Sequence, residues 1–174
     1  FSAEGRGGNP AGVVLCDVLP AAERMQALAA EVGYSETAFA APAGDGWRVR
    51  YFAPGVEVDF CGHATIALGA ALARQQGPGL FPLELNKARI TVEGHLSTTR
   101  WGASLQSPST RSGPVSAPLL EEALALFGLG PDDLDPRIPA AIAHGGGDHL
   151  ILALNARERL RTMQYDLAQG RALA

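Results

Sequence analysis

Tyr51-Phe-Ala-Pro-Gly-Val-Glu-Val-Asp-Phe-Cys-Gly-His-Ala-Thr-Ile66 decides how this chain folds, because it runs from an extended segment through a polar turn into a helix with almost no polar face. Val56, Val58 and Phe60 alternate with Glu57 and Asp59, the period of a strand. Gly62 permits a sharp turn. From His63 onward Ala64, Ile66, Ala67, Leu68, Ala70, Ala71, Leu72 and Ala73 carry no charge before Arg74, and a helix apolar all round is expected to be buried. The unpaired N–H groups of its first turn and the positive end of its dipole then face Cys61, Gly62 and His63, a ready place for a carboxylate or another anion. The same residues also suit a plain strand-to-helix corner, with His63 a cap and Cys61 a small buried hydrophobe. This stretch alone leaves both readings open.

Composition narrows the field. Hydrophobic residues make up 47% of the 174 and charged ones 18%, which suits a globular protein with a substantial core rather than a disordered chain. A net charge of −4 without a basic run argues against nucleic acid as a partner. No apolar run is long enough to span a bilayer, and no secretory leader is read at Phe1, so no membrane partner is expected. Cys16 and Cys61 form neither a disulfide framework nor a metal-ligand set, so no metal is expected and a reducing cytoplasm is the simplest setting.

Outward from the central stretch, Gly5 to Pro10 reads as a glycine-rich loop and Ala11 to Val18 as a buried strand. Pro20 to Val32 reads as a helix with Met25, Leu28, Ala29 and Val32 inward, stopped by Gly33. Glu36 to Ala41 and Trp47 to Phe52 form a hairpin across Pro42 to Gly46. After the apolar helix, Phe81 to Leu85, Ala88 to Val92, Leu96 to Trp101 and Ala103 to Gln106 read as a meander, with a turn at Gly94-His95. These features predict an α+β fold, a mostly antiparallel sheet curled around one apolar helix. Ser107 to Pro118 is Ser-, Pro- and Gly-rich and reads as a linker, which divides the chain at residues 112/113. Beyond it come a helix from Leu119 to Phe127, strands from Ala140 to His144 and His149 to Leu154, and a helix from Ala156 to Met163. Gly146-Gly-Asp-His-Leu-Ile-Leu152 echoes Gly8-Asn-Pro-Ala-Gly-Val-Val14, a faint sign of an internal repeat.

Four motifs stand in one order: Gly8-Asn-Pro-Ala-Gly-Val-Val14, Ser35-Glu-Thr-Ala-Phe39, Tyr51-Phe-Ala-Pro54 and Phe60-Cys-Gly-His-Ala-Thr65. In this the chain resembles the phenazine-biosynthesis PhzF-like isomerases. The resemblance implies a diaminopimelate-epimerase-like fold of two pseudo-symmetric lobes, each a sheet around a helix, with the site between them. It also implies that Glu36 is the general acid/base, that His63 lies in the site, and that no cofactor is used. Nothing here matches the family's Asp-Pro and Thr-Gly-Ser segment, so residues 113–174 are expected to form an incomplete second lobe and residues 1–112 the lobe with the acid/base. An unfinished lobe leaves apolar faces that a homodimer would cover.

Moving a proton within a small molecule needs a carboxylate that takes it from one carbon and returns it at another. Glu36 is the candidate, with Ser35 and Thr37 to orient it and His63 beside it. Candidate substrate contacts are Asn9, Cys61, Gly62, Ala64 and, from the second lobe, His149; a structural role fits Asn9 and His149 equally well. The expected substrate is small and anionic, amino-acid-like or cyclic. The rival reading resembles the proline-racemase type, in which Cys61 is itself the base, its thiol pKa lowered by the helix start and His63. A non-catalytic binding member of the fold is the third reading.

Overall fold

The structure, a computed structural model, describes residues 7–173, so Gly5 and Arg6 of the glycine-rich loop lie outside the described residues. The chain divides into two compact units, Phe1–Ser109 and Thr110–Ala174.

In the first unit β1 (Ala11–Leu15) leads to α1 (Ala22–Val32), then to the hairpin β2 (Glu36–Ala43) and β3 (Gly46–Ala53) and the short β4 (Val56–Val58). The helix α2 (Gly62–Gln76) follows, then β5 (Gly79–Glu84), β6 (Arg89–Ser97) and β7 (Arg100–Leu105). The sheet runs β1-β2-β3-β5-β6-β7, with β4 paired to β3. The pairs β1–β2 and β3–β5 are parallel, and β2–β3, β3–β4, β5–β6 and β6–β7 are antiparallel.

Strand alternation sorts the side chains onto two faces. Ala38 and Ala40 of β2 and Val49 and Tyr51 of β3 join Ala64, Leu68, Leu72 and Ala73 of α2 in the larger core cluster. Phe39 and Phe52, one residue out of phase, join Met25 and Ala29 of α1 in the smaller one. The sheet thus curls around α2 on its inner face and carries α1 on its outer one. Two glycines let α2 approach closely: a Cβ on Gly94 would lie 2.5 Å from the Ala73 Cβ and 2.6 Å from the Gly69 carbonyl oxygen, and one on Gly69 would run into Val92.

Several expectations are corrected. The first strand ends at Leu15 and is half-buried, and Val18 is 80% exposed. Gly94 and His95 are no turn but lie inside β6, where the absent side chain at Gly94 serves packing; the reversal comes at Thr98, whose φ of 53° is left-handed. Burial of α2 is not complete, since Ile66, Ala67, Ala70 and Ala71 are half-buried. Val32 of α1 is 42% exposed.

In the second unit β8 (Arg111–Pro114), inside the segment read as a linker, pairs with β9 (Ala141–His144), which pairs with β10 (Asp148–Ile151). A boundary at 112/113 would cut β8. The helices are α3 (Ala117–Phe127), α4 (Arg157–Thr162) and α5 (Leu167–Leu173). Gly128 closes α3 in the left-handed conformation (φ 61°).

Candidate functional site

Backbone geometry converges on the start of α2. Glu36 opens β2 and shares the inner face with Ala38 and Ala40, so alternation aims it at that helix start. Cys61 precedes the helix with extended backbone (φ −144°). His63, the second residue of the helix, brings its ring between the two. Its Nδ1 lies 3.2 Å from the Cys61 Sγ, and its Nε2 lies 3.4 Å from the Glu36 Oε2. Glu36 Oε2 is a buried oxygen without a hydrogen-bond partner.

A second line of contacts runs outward from the ring. Ser35 Oγ donates to Asn9 Oδ1 at 2.8 Å and lies 3.4 Å from His63 Nε2. Asn9, two residues before Ala11, continues the inward face of β1, which pairs with β2 from Ala11↔Glu36 onward. Asn9, Ser35, Glu36, Cys61 and His63 thus form one connected group, with Gly62 and Ala64 supplying first-turn backbone. Thr37 does not orient Glu36. Its side chain points to the opposite face, fully buried, and a Cβ on Gly12 would lie 2.6 Å from its oxygen.

Beneath the site, Thr65 Oγ1 donates to the Cys61 carbonyl at 2.8 Å and lies 2.7 Å from the Tyr51 hydroxyl. Sequence reasoning missed this pair because Tyr51 and Thr65 read there only as a strand end and an apolar helix position. Their spacing of fourteen residues carries no periodic signal.

Electrostatics at Cys61 run against the expected lowered thiol. Burial pushes it up to about 11, and the Glu36 carboxylate nearby adds to the rise, while the Ala64 and His63 N–H groups pull it down and lose. The helix start is too short-ranged to offset the loss of water. Among the described residues, Glu36, Cys61 and His63 are a set whose ligand atoms lie within 4.8 Å of one another.

His149 stands exposed on β10 of the second unit, at a groove of ≈ 990 Å³ walled by Leu126, Phe127, Leu152, Leu160 and Tyr165. Asp148 beside it is held below the usual carboxylate range, first by the His144 ring that bonds it at 2.7 Å. No helix among the described residues is long and apolar enough to cross a membrane.

Residues 1–173 match the family described as phenazine biosynthesis-like protein (PhzC-PhzF). An uncharacterized isomerase of Pseudomonas aeruginosa is 36% identical over 174 residues, covering 97% of this chain and 59% of its own length. The uncharacterized isomerase YddE of Escherichia coli K12 is 33% identical over 173 residues, covering 96% and 58%. Among solved structures, a phenazine biosynthesis protein of the PhzF family from Bacillus anthracis matches with a TM-score of 0.70 at 26% identity, over 91% of this chain and 55% of the other. A predicted epimerase from Pseudomonas aeruginosa shares the fold, with a TM-score of 0.82 at 21% identity over 95% and 60%. The chain spans less than two thirds of the length of these relatives.

Proposed function

We propose, because this chain belongs to the phenazine biosynthesis-like protein family, that its first unit supplies the acid–base machinery of a cofactor-independent isomerase. The relatives described as isomerases support the reaction class. The observation that carries the mechanism is the Glu36 Oε2 atom, buried, without a hydrogen-bond partner and 3.4 Å from His63 Nε2. Such an oxygen is free to receive a proton.

In this reading the carboxylate of a small anionic substrate, amino-acid-like or cyclic, docks against the first-turn N–H groups of α2. Glu36 takes a proton from a substrate carbon, the electron pair left behind shifts along the conjugated system, and the carboxyl, whose proton exchanges with solvent while it is held, returns one proton at a second carbon. No atom is gained or lost. His63 and Asn9 hold the substrate and the loop in register. A thiol pushed up to about 11 is protonated at neutral pH, which favours Glu36 over Cys61 as the base. The free Cys16 and Cys61 suit a reducing compartment such as the cytoplasm.

The test uses the full-length protein in D₂O with a panel of small amino acids and cyclic unsaturated carboxylic acids, followed by NMR. Deuterium should enter a substrate carbon, and Glu36→Gln should slow that entry by roughly 10²-fold or more. If Glu36→Gln exchanges normally while alkylation of Cys61 stops exchange, the thiol mechanism replaces this one.

A further inference from the structure

The protons around His63 have a catalytic meaning that rests on the acid–base reading. Each neighbour has a fixed number of protons to give. Ser35 has one, and it is directed to Asn9 Oδ1 at 2.8 Å. Its oxygen, 3.4 Å from His63 Nε2, can then only accept from the ring. Glu36 Oε2, also 3.4 Å from Nε2, is an acceptor when ionised. Two acceptors on one side of an imidazole favour a proton on that nitrogen, and a donor facing the other nitrogen is what makes the preference exclusive.

On the other side, Cys61 Sγ sits 3.2 Å from Nδ1. Burial, with the Glu36 carboxylate nearby as a second acceptor, keeps the thiol protonated, so it has one S–H to offer, and Nδ1 at 3.2 Å has a lone pair to take it. The opposite tautomer, with the proton on Nδ1, would leave a bare Nε2 lone pair facing the serine and carboxylate oxygens.

We infer that Cys61 and Ser35 are positioning residues that lock His63 as the Nε2–H tautomer, so that the ring keeps its N–H on the side of Ser35 and Glu36 and turns its lone pair toward the thiol. The cysteine of the turn thereby acts through the histidine rather than as a nucleophile. This also gives the Cys-Gly-His spacing a physical reason: a residue two positions before the ring, at the helix entry, reaches back to Nδ1.

The experiment is a long-range ¹H–¹⁵N correlation spectrum of the full-length, uniformly ¹⁵N-labelled protein at neutral pH. The chain has four histidines, and the His63 signals are assigned by their loss in His63→Gln. His63 should show a pyrrole-like Nε2 and a pyridine-like Nδ1. Cys61→Ala should replace that pattern with averaged shifts of mixed tautomers, whereas Cys61→Ser, which keeps a donor, should restore it. A wild-type spectrum with the proton on Nδ1, with both nitrogens protonated, or with averaged shifts overturns the inference, as does a Cys61→Ala spectrum identical to wild type. Should Cys61→Ala fail to fold, the wild-type and Cys61→Ser spectra decide: the locked pattern in both supports the inference, and its absence from either overturns it. Since the spectrum reads the ring and not turnover, its failure leaves the Glu36→Gln result standing, and the reverse also holds.

Discussion

Tyr51 is fully buried, and its hydroxyl ends in a short relay whose direction is set by proton supply. Thr65 gives its proton to the Cys61 carbonyl, so the 2.7 Å contact must be Tyr51 donating to Thr65. Burial pushes Tyr51 up to about 12, from an ordinary 10.0, and Cys61 up to about 11, from 9.0. Both groups hold their protons more tightly folded than unfolded. The stability they contribute is therefore complete below pH about 9 and is lost as pH climbs through about 11 and then about 12. Tyr51→Phe should cost ~1 kcal/mol at pH 7.5 and flatten the loss of stability between pH 10 and 12, measured by urea denaturation at several pH values. An unchanged alkaline slope would remove Tyr51 from the linkage. At this scale the sequence announced Glu36, Cys61 and His63 through their motifs, because an acid, a thiol and an imidazole around a glycine turn are chemically conspicuous. Tyr51 and Thr65 were silent: hydroxyl groups become partners only when the hairpin and α2 are docked.

The contact of α2 with β6 shows why composition misleads about elements. Glycine is a turn signal in isolation, and Gly94 next to His95 was read that way, yet here it is the residue that lets a helix lie against a strand. Gly94→Ala would place a methyl 2.5 Å from another in Ala73, and we expect a loss of about 2–3 kcal/mol. Gly55→Ala, with nothing within 4 Å of the added carbon, should change stability by less than about 0.5 kcal/mol. Equal thermal shifts for the two variants would refute the close packing. The strand β8 was hidden for the converse reason. Ser, Pro and Gly describe a linker by composition, and only pairing with β9, about thirty residues later by register, makes Arg111–Pro114 a strand. Hairpins and capped helices were legible since their signals are local; pairings between distant segments were not.

Burial is distributed unevenly over the whole molecule. The first unit holds both core clusters, whereas in the second, among the described residues, the buried apolar side chains are Ala123 and Leu124. Leu160, Tyr165 and Leu167 are at least half exposed there. Local opening is cheapest where few apolar contacts must break. Native-state hydrogen exchange should accordingly find the slowest amides on β2, β3 and α2, with β9 and β10 exchanging faster by at least about tenfold; equal protection in both units would contradict this. The pairing of Asn9, Ser35, Glu36, Cys61 and His63 within one unit has a bearing on heredity and engineering. A crossover at the Ser109/Thr110 joint would hand down the proton-handling set as an intact cassette, leaving whatever follows to diversify, so chimeras joined there should keep the tautomer signature of the donor of their first half.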